Sequence, residues 1–363
     1  MSIFSSHTPH VGVALSGGVD SSMSVKVLQR YGYTVQGYTM SLWNPDQHKK
    51  QTMLNNARRV ADFLGIEHHI IDLESPFREA VVHYFQREYL AGRTPNPCVQ
   101  CNRHIKLGAF FNAVRANGGT HLATGHYAQI VTSDDNLRVG VSMADDPTKD
   151  QSYFLYAVER ETLRSLLFPL ANAHKYNIKA EARSLGLYNV IDESESQEIC
   201  FVPNDDYRAL LQELGAVNIP GSFLHASSGR VLGEHQGIWN YTVGQRKGLG
   251  VSYSEPLYVT YIDPATNTIY LDTLEHLATN EITVGELHWQ YGYPLDLPLR
   301  GSVKLRYRST PSPCTVEHHP SREGYIRITT DEPALGAVTP GQAAVVYNEA
   351  RVVVCGGTIA PRA

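Results

Sequence analysis

The residues best suited to chemistry fall in a few short stretches. SGGVDSS (16–22) follows a β-branched run and opens a helical pattern. Its two glycines let backbone approach an anion closely, and the N–H groups of a helix start, with Ser21 and Ser22, offer donors to phosphate oxygens. The plain alternative, a strand-to-helix turn with a polar cap, needs fewer donors. The loop fits neither GxxxxGK[ST] nor GxGxxG, and without the lysine of the former it does not read as a γ-phosphate hydrolase. TPNPCVQCN (94–102) presents Cys98 and Cys101 three apart on a segment stiffened by prolines, a spacing shared by metal thiolates, redox pairs and paired nucleophiles. Cys200, in SESQEICFVP, lies far along the chain, and its bland reading is a buried core thiol. A zinc set from Cys98, Cys101, His104 and Cys200 is another reading, although no second CxxC is present. In TGHYA (124–128), Gly125 would bring backbone close to a nucleotide.

These stretches need a scaffold, and the hydrophobic pattern supplies one. Strands are predicted at 11–15, 34–38, 69–73 and 121–123, alternating with helices at 21–30, 54–64, 76–89 and 107–114. That alternation is an α/β, doubly wound parallel sheet, whose ligands bind at the carboxyl ends of the strands, where SGGVDSS and TGHYA lie. Residues 149–200 read as helical, with segments at 159–167 and 177–185, the second stopped by Gly186. Residues 206–280 are Gly-rich and irregular, a small central domain. The runs ITVGELHW, SVKLRYR, YIRITT, AAVVYN and RVVVCGG then have the even spacing of a small all-β barrel or sandwich. The expected domains are therefore 1–205, 206–280 and 281–363, in keeping with a length of 363 residues.

Composition narrows the class. Hydrophobic residues are 42% and charged residues 18%, too apolar for a disordered chain. No run reaches the length of a membrane span, which needs about 18 apolar residues, and the N-terminus lacks a basic start and apolar core. The chain thus reads as cytoplasmic and without a membrane partner. Its odd number of cysteines, five, then favours thiol or metal chemistry over a disulfide framework. The net charge of −5 is spread evenly: 19 basic and 21 acidic residues in 1–205, 4 and 7 in 206–280, 8 and 8 in 281–363. Attraction for a polyanion would have to come from local clusters such as Lys304, Arg306 and Arg308, or Arg246 and Lys247.

SGGVDSS resembles the pyrophosphatase loop of enzymes that split ATP into AMP and pyrophosphate. Together with GRTPNP, the CN at 101–102, ATGHYA, KDQSYFL, ICF and YTVGQRKGLG, in this order and spacing, it makes nearly the whole chain similar to the tRNA-specific 2-thiouridylases. The resemblance implies a pyrophosphatase-loop domain, a small central domain and a C-terminal β-barrel. It implies ATP and Mg2+ as cofactors, with ATP held by Ala14, Leu15, Ser16, Gly17, Gly18, Val19, Asp20 and Ser21, by Met40 against adenine, and by Gly125. The implied reaction adenylates the C2 oxygen of the wobble uridine (position 34), so that AMP rather than oxide leaves when sulfur attacks. By similarity Cys200 carries a persulfide and Cys101 is the second catalytic thiol. The anticodon loop of tRNA would meet Asn96, Pro97, Cys98, His126, Lys149, Asp150, Gln151, Arg306, Tyr307 and Gln342. The implied partners are tRNA and a persulfide donor, such as a cysteine desulfurase or a sulfur relay protein, acting on a monomer.

One residue departs from the pattern: many members have Asp where this chain has Cys98. That leaves three thiols, Cys98, Cys101 and Cys200, and three cysteines are a known way to hold a [4Fe-4S] cluster with one open iron. Two rival functions remain at this stage. Another adenylating ligase would share SGGVDSS but have no use for Cys101 and Cys200; a non-catalytic zinc-bound RNA-binding module would hold metal and release no AMP. Cys314 and Cys355 are expected only to pack.

Overall fold

The computed structural model describes residues 10–134, 136–187, 199–334 and 338–362. The chain divides into two compact units, Met1–Ala80 with Cys98–Pro203, and Val81–Pro97 with Asn204–Ala363.

The first unit is built on a five-stranded sheet. Its strands are β1 (His10–Ala14), β2 (Thr34–Ser41), β3 (His68–Asp72), β4 (His121–Ala123) and, after the β5 (Gln129–Thr132) and β6 (Val139–Ser142) hairpin, β7 (Leu166–Leu167). The order is β3-β2-β1-β4-β7, and every neighbouring pair is parallel. The order reverses direction beside β1, so the crevice at its carboxyl end opens above the loop 16–22, as a doubly wound sheet requires. Helices α1 (Val19–Arg30) and α2 (Gln47–Leu64) cover it, and Val11, Val13, Met23, Val25, Leu28 and Val60 form its core.

Three differences from the sequence reading have physical causes. The helix predicted at 159–167 is only one turn, α7 (Arg160–Leu163), and Leu166 and Leu167 pair instead with Leu122 and Ala123. Periodicity cannot separate a short apolar run in a buried strand from one in a helix, and Pro169 disfavours helix in the residue before it. Helix α2 begins seven residues before the predicted 54, capped by the Asp46 carboxylate, which accepts from Lys49 N–H at 2.9 Å. Its first turns are polar and face solvent, so they carry no apolar signal. The helix predicted at 107–114 runs from Pro97 to Ala116, and its centre, Cys101–Ala109, has widened π-helical turns. Gly108 permits them: a Cβ there would lie 2.9 Å from the Arg103 carbonyl oxygen.

In the second unit a four-stranded sheet has the order β10-β11-β8-β9, formed by β8 (Gly221–His225), β9 (Val231–His235), β10 (Tyr258–Asp263) and β11 (Thr268–Asp272). Six further strands close an antiparallel barrel: β12 (Thr279–Trp289), β13 (Leu299–Lys304), β14 (Ser312–His318), β15 (Ile326–Ala334), β16 (Ala343–Tyr347) and β17 (Val353–Ile359). Sequence reading finds five of the six and misses β14, whose SPCTVEH carries a proline and polar residues. Cys314 and Cys355 sit fully buried in the barrel core, with Val284, Val303, Val316, Ile328 and Val346.

Two glycines set how closely elements approach. A Cβ at Gly12 would run into Val114 Cγ1, and one at Gly357 into the Gly285 carbonyl oxygen. Gly12→Ala should cost about 1–3 kcal/mol, the usual overpacking range. Gly357→Ala should cost more, because the obstacle is backbone. Urea denaturation of the two variants, followed by circular dichroism, checks the order; a Gly357→Ala protein with an unchanged midpoint would contradict it.

Candidate active site

The loop 16–22 starts where β1 ends. Gly17 has φ 78°, a region that favours glycine, and a Cβ there would lie 2.9 Å from Ala57 N and from Asn56 Cβ. Two constraints therefore select the same residue. Gly18 precedes α1, whose first-turn N–H groups have no intrahelical acceptor and face the loop. The hydroxyls line it: Ser21 Oγ donates to Gly18 O at 3.0 Å and lies 3.2 Å from Ser16 N, and Ser22 Oγ donates to Gly18 O at 2.8 Å. The result is a cup of hydrogen-bonding groups with little side-chain bulk.

Asp20 is gripped from two directions. Lys175 Nζ lies 2.7 Å from Oδ1 and 2.6 Å from Oδ2, and Tyr127 O–H donates to Oδ1 at 2.9 Å. Lys175 opens helix α8 (Lys175–Ser184), and its backbone N–H donates to Asp146 Oδ2 at 3.0 Å. Asp146 is buried, and hydrogen bonds from Thr148 and Lys175 hold its carboxyl below the usual range against the opposing effect of burial. Sequence reading misses Lys175: an isolated lysine before a helical pattern looks like a solvated charge. Gly125 completes the wall, since a Cβ there would lie 3.0 Å from Asp20 C and 3.1 Å from Ser21 N. Ala14 and Leu15 lead into the loop and Val19 is buried beneath it. Met40 stands half-buried near the end of β2, opposite Ile71.

Three thiols lie in the same unit. Cys98 and Cys200 reach solvent and Cys101 is buried, and all three are free. Protein crowding raises each thiol, Cys98 to about 11 and Cys101 to about 12, with Cys200 also raised. A charge on Cys200 raises Cys98 and Cys101 further, so the three are electrostatic neighbours, while Lys106 lowers all of them. Cys200 is tethered by Asn44, whose Nδ2 donates to its carbonyl at 3.1 Å, and by the buried Phe201, edge-on to Phe77. The first part of SESQEICFVP lies outside the described residues. Among the described residues no group of three His, Cys, Asp or Glu is placed to hold a metal ion. The expected zinc set of Cys98, Cys101, His104 and Cys200 is therefore not assembled among the described residues.

The expected tRNA contacts divide. His126 is buried, shares a 2.6 Å hydrogen bond with Thr124, and is lowered to about 3 by burial and by Lys106, so it is neutral. Asp150 is buried and accepts from the N–H groups of Ala144 and Ser152. Gln151 exchanges backbone and side-chain hydrogen bonds with Tyr127, fixing the 124–128 loop, and Lys149 is half-buried. In the second unit Asn96 and Pro97 are buried, and Gln342 Nε2 donates to the carbonyls of Thr94 and Pro95 at 3.1 and 2.8 Å. Gln342 therefore straps down the segment that leads to Cys98. Arg306 is exposed and donates to Thr339 Oγ1, and Tyr307 is half-buried with the Lys304 ammonium over its ring. Lys304 itself is buried, so of the expected surface cluster only Arg306 and Arg308 are exposed.

Comparison with known proteins agrees along the whole chain. Residues 9–204 match the family model of a tRNA methyl transferase HUP domain, 208–272 that of its PRC-barrel domain, and 279–359 an aminomethyltransferase beta-barrel domain. The chain is similar to the tRNA-specific 2-thiouridylase of Acetivibrio thermocellus, 38% identical over 96% of this chain and 98% of that one. It is also similar to those of Trichlorobacter lovleyi (41% identical, 94% and 95% covered) and Syntrophotalea carbinolica (40% identical, 97% and 98% covered). At that identity and coverage, the chain belongs to the tRNA-specific 2-thiouridylase family.

Proposed function

We propose that the protein replaces the C2 oxygen of a tRNA uridine, at wobble position 34, with sulfur in an ATP-dependent reaction. The observation that carries this reading is the presence, in one unit, of a phosphate-binding loop with its carboxylate and three mutually interacting thiols. Methyl transfer, the activity in the family model's description, would need neither.

The loop 16–22 and the first turn of α1 would receive the phosphates through backbone N–H groups and the hydroxyls of Ser16 and Ser21, while Ser22, enclosed and bonded to Gly18 O, would brace the turn. Gly125 and Met40 border the same crevice and would flank the nucleoside. The residues suit Mg2+: the Asp20 carboxylate is a hard oxygen donor at the mouth of the loop. When bound, the ion neutralises the pyrophosphate that leaves as the uridine oxygen attacks the α-phosphorus. The uridine must be splayed from the anticodon loop, the cheaper place to unstack a base.

Sulfur then arrives as a persulfide on Cys200, received from a donor protein. Its terminal sulfur attacks C2, the C2–O bond breaks and AMP departs. Cys101 attacks Cys200 Sγ, the sulfur stays on the base, and a Cys101–Cys200 disulfide remains for an external thiol to reduce. Mutual repulsion among the thiols favours one thiolate at a time, which suits sequential attack. Cys98, raised to about 11, is a protonated thiol at neutral pH and therefore suits proton donation rather than the base role of a carboxylate. No step in this sequence needs an iron–sulfur cluster, since the persulfide on Cys200 already supplies the sulfur. Exposed Arg306 and Arg308 would contact phosphate, making binding salt-sensitive.

Cys200→Ser should abolish thiolation while tRNA-dependent pyrophosphate release continues, assayed with Mg2+, ATP and a persulfide donor. Full 2-thiouridine formation by Cys200→Ser would contradict the persulfide role of Cys200, and AMP release by wild type with no 2-thiouridine would favour the adenylating-ligase alternative. Thiol chemistry provides a second check. Because the surrounding protein raises the thiols even where they reach solvent, alkylation of Cys200 and Cys98 by iodoacetamide should climb about tenfold per pH unit between pH 7 and 9. A plateau near pH 7, read by peptide mass spectrometry, would contradict this. Lys106→Met removes a charge that lowers all three thiols, so alkylation at pH 8 should slow about threefold to tenfold.

A further inference from the structure

We propose that Lys175 is an internal stand-in for the metal: its ammonium holds the Asp20 carboxylate while the site is empty, gives way to Mg2+ when ATP binds, and then moves to the phosphates. This rests on the reading of the loop 16–22 as an ATP site.

The geometry is that of a cation shared between both carboxylate oxygens. Nζ is 2.7 Å from Oδ1 and 2.6 Å from Oδ2, so the ammonium straddles the carboxylate where a divalent ion would bind it. The Lys175 side chain is 9% exposed, whereas that of Asp20 is 32% exposed. The lysine is enclosed and the carboxylate keeps an open side toward the loop. Tyr127 donates to Oδ1 as well, and the ammonium lies 5.7 Å from the centre of its ring.

The lysine is mounted to move only at its tip. Asp146, itself fixed by Thr148, accepts the Lys175 backbone N–H and pins the first residue of α8. The four-carbon stem can swing without shifting that anchor. The loop SGGVDSS contains no cation of its own, unlike the nucleotide loops that end in lysine. Its carboxylate would repel an incoming polyphosphate unless a positive charge neutralised it. Lys175 supplies that charge before loading; after Mg2+ takes the carboxylate, the displaced ammonium lies beside the incoming phosphates, to which it is attracted as a flexible point charge.

The test measures binding rather than turnover, with full-length protein. Manganese alone is titrated into nucleotide-free wild type, Lys175→Met and Lys175→Arg, with free Mn2+ read by electron paramagnetic resonance. Mg-ATP binding is measured separately by equilibrium dialysis. Removing the competing cation should tighten Mn2+ binding to Lys175→Met by about tenfold and weaken Mg-ATP by at least as much. Lys175→Arg, which keeps the charge, should bind Mn2+ much like wild type, and Asp20→Asn added to Lys175→Met should erase the gain. Mn2+ affinity unchanged or reduced in Lys175→Met would overturn the proposal. Should Lys175→Met fail to fold, Lys175→Gln, which keeps a polar side chain but removes the charge, should tighten Mn2+ several-fold, and no change there would overturn it equally. Wild type that binds no Mg-ATP would refute the ATP-site reading itself, and the Mn2+ comparison would still decide the competition between Lys175 and a metal.

Discussion

The carboxylate of Asp20 joins parts of the first unit that are far apart in sequence. It sits in the first turn of α1, takes a hydroxyl from Tyr127 after β4, and takes an ammonium from Lys175 at the start of α8. The loop beside Gly125, the turn held by Asp146 and the segment fixed by Gln151 all bear on this point. Breaking a buried ion pair by removing one partner costs about 3–5 kcal/mol, and less here because Asp20 retains solvent contact. The interaction therefore organises the crevice at the end of β1: it fixes the approach of the 124–128 loop to the loop 16–22 and sets the local charge there.

The thiols obey the opposite electrostatic rule. Burial and mutual proximity disfavour the charged form of each, and Lys106 only partly offsets this. A free enzyme with mainly protonated thiols is protected against indiscriminate oxidation, since the thiolate is the reactive form. Reactivity then depends on what is brought to the site, and a terminal persulfide sulfur is more acidic than the thiol that carries it. Cys98 fits this regime, because a protonated thiol can deliver a proton at neutral pH where an ionised aspartate could not.

Much of this was legible in the sequence, for identifiable reasons. β1 is legible because its valine-rich run ends in the Gly- and Ser-rich loop 16–22, and that loop is legible because donor density is a local property. Lys175 was not found, because its partner Asp20 lies 155 positions away and only the fold joins them. Helix α7 was overdrawn because the apolar 166–167 pair serves a strand, and β14 was missed because SPCTVEH does not alternate cleanly. Residues assigned to RNA contact by resemblance, Asp150 and Gln342 among them, are bound to the protein's own backbone, which residue type alone cannot reveal.

The central claim is that the uridine oxygen leaves on AMP and sulfur takes its place. It is tested most directly with tRNA carrying 18O at C2 of the wobble uridine, incubated with the protein, ATP, Mg2+ and a persulfide donor. The account predicts one 18O in the phosphate of each AMP released and an equal amount of 2-thiouridine in the digested tRNA. Unlabelled AMP, or label found in water, would contradict it.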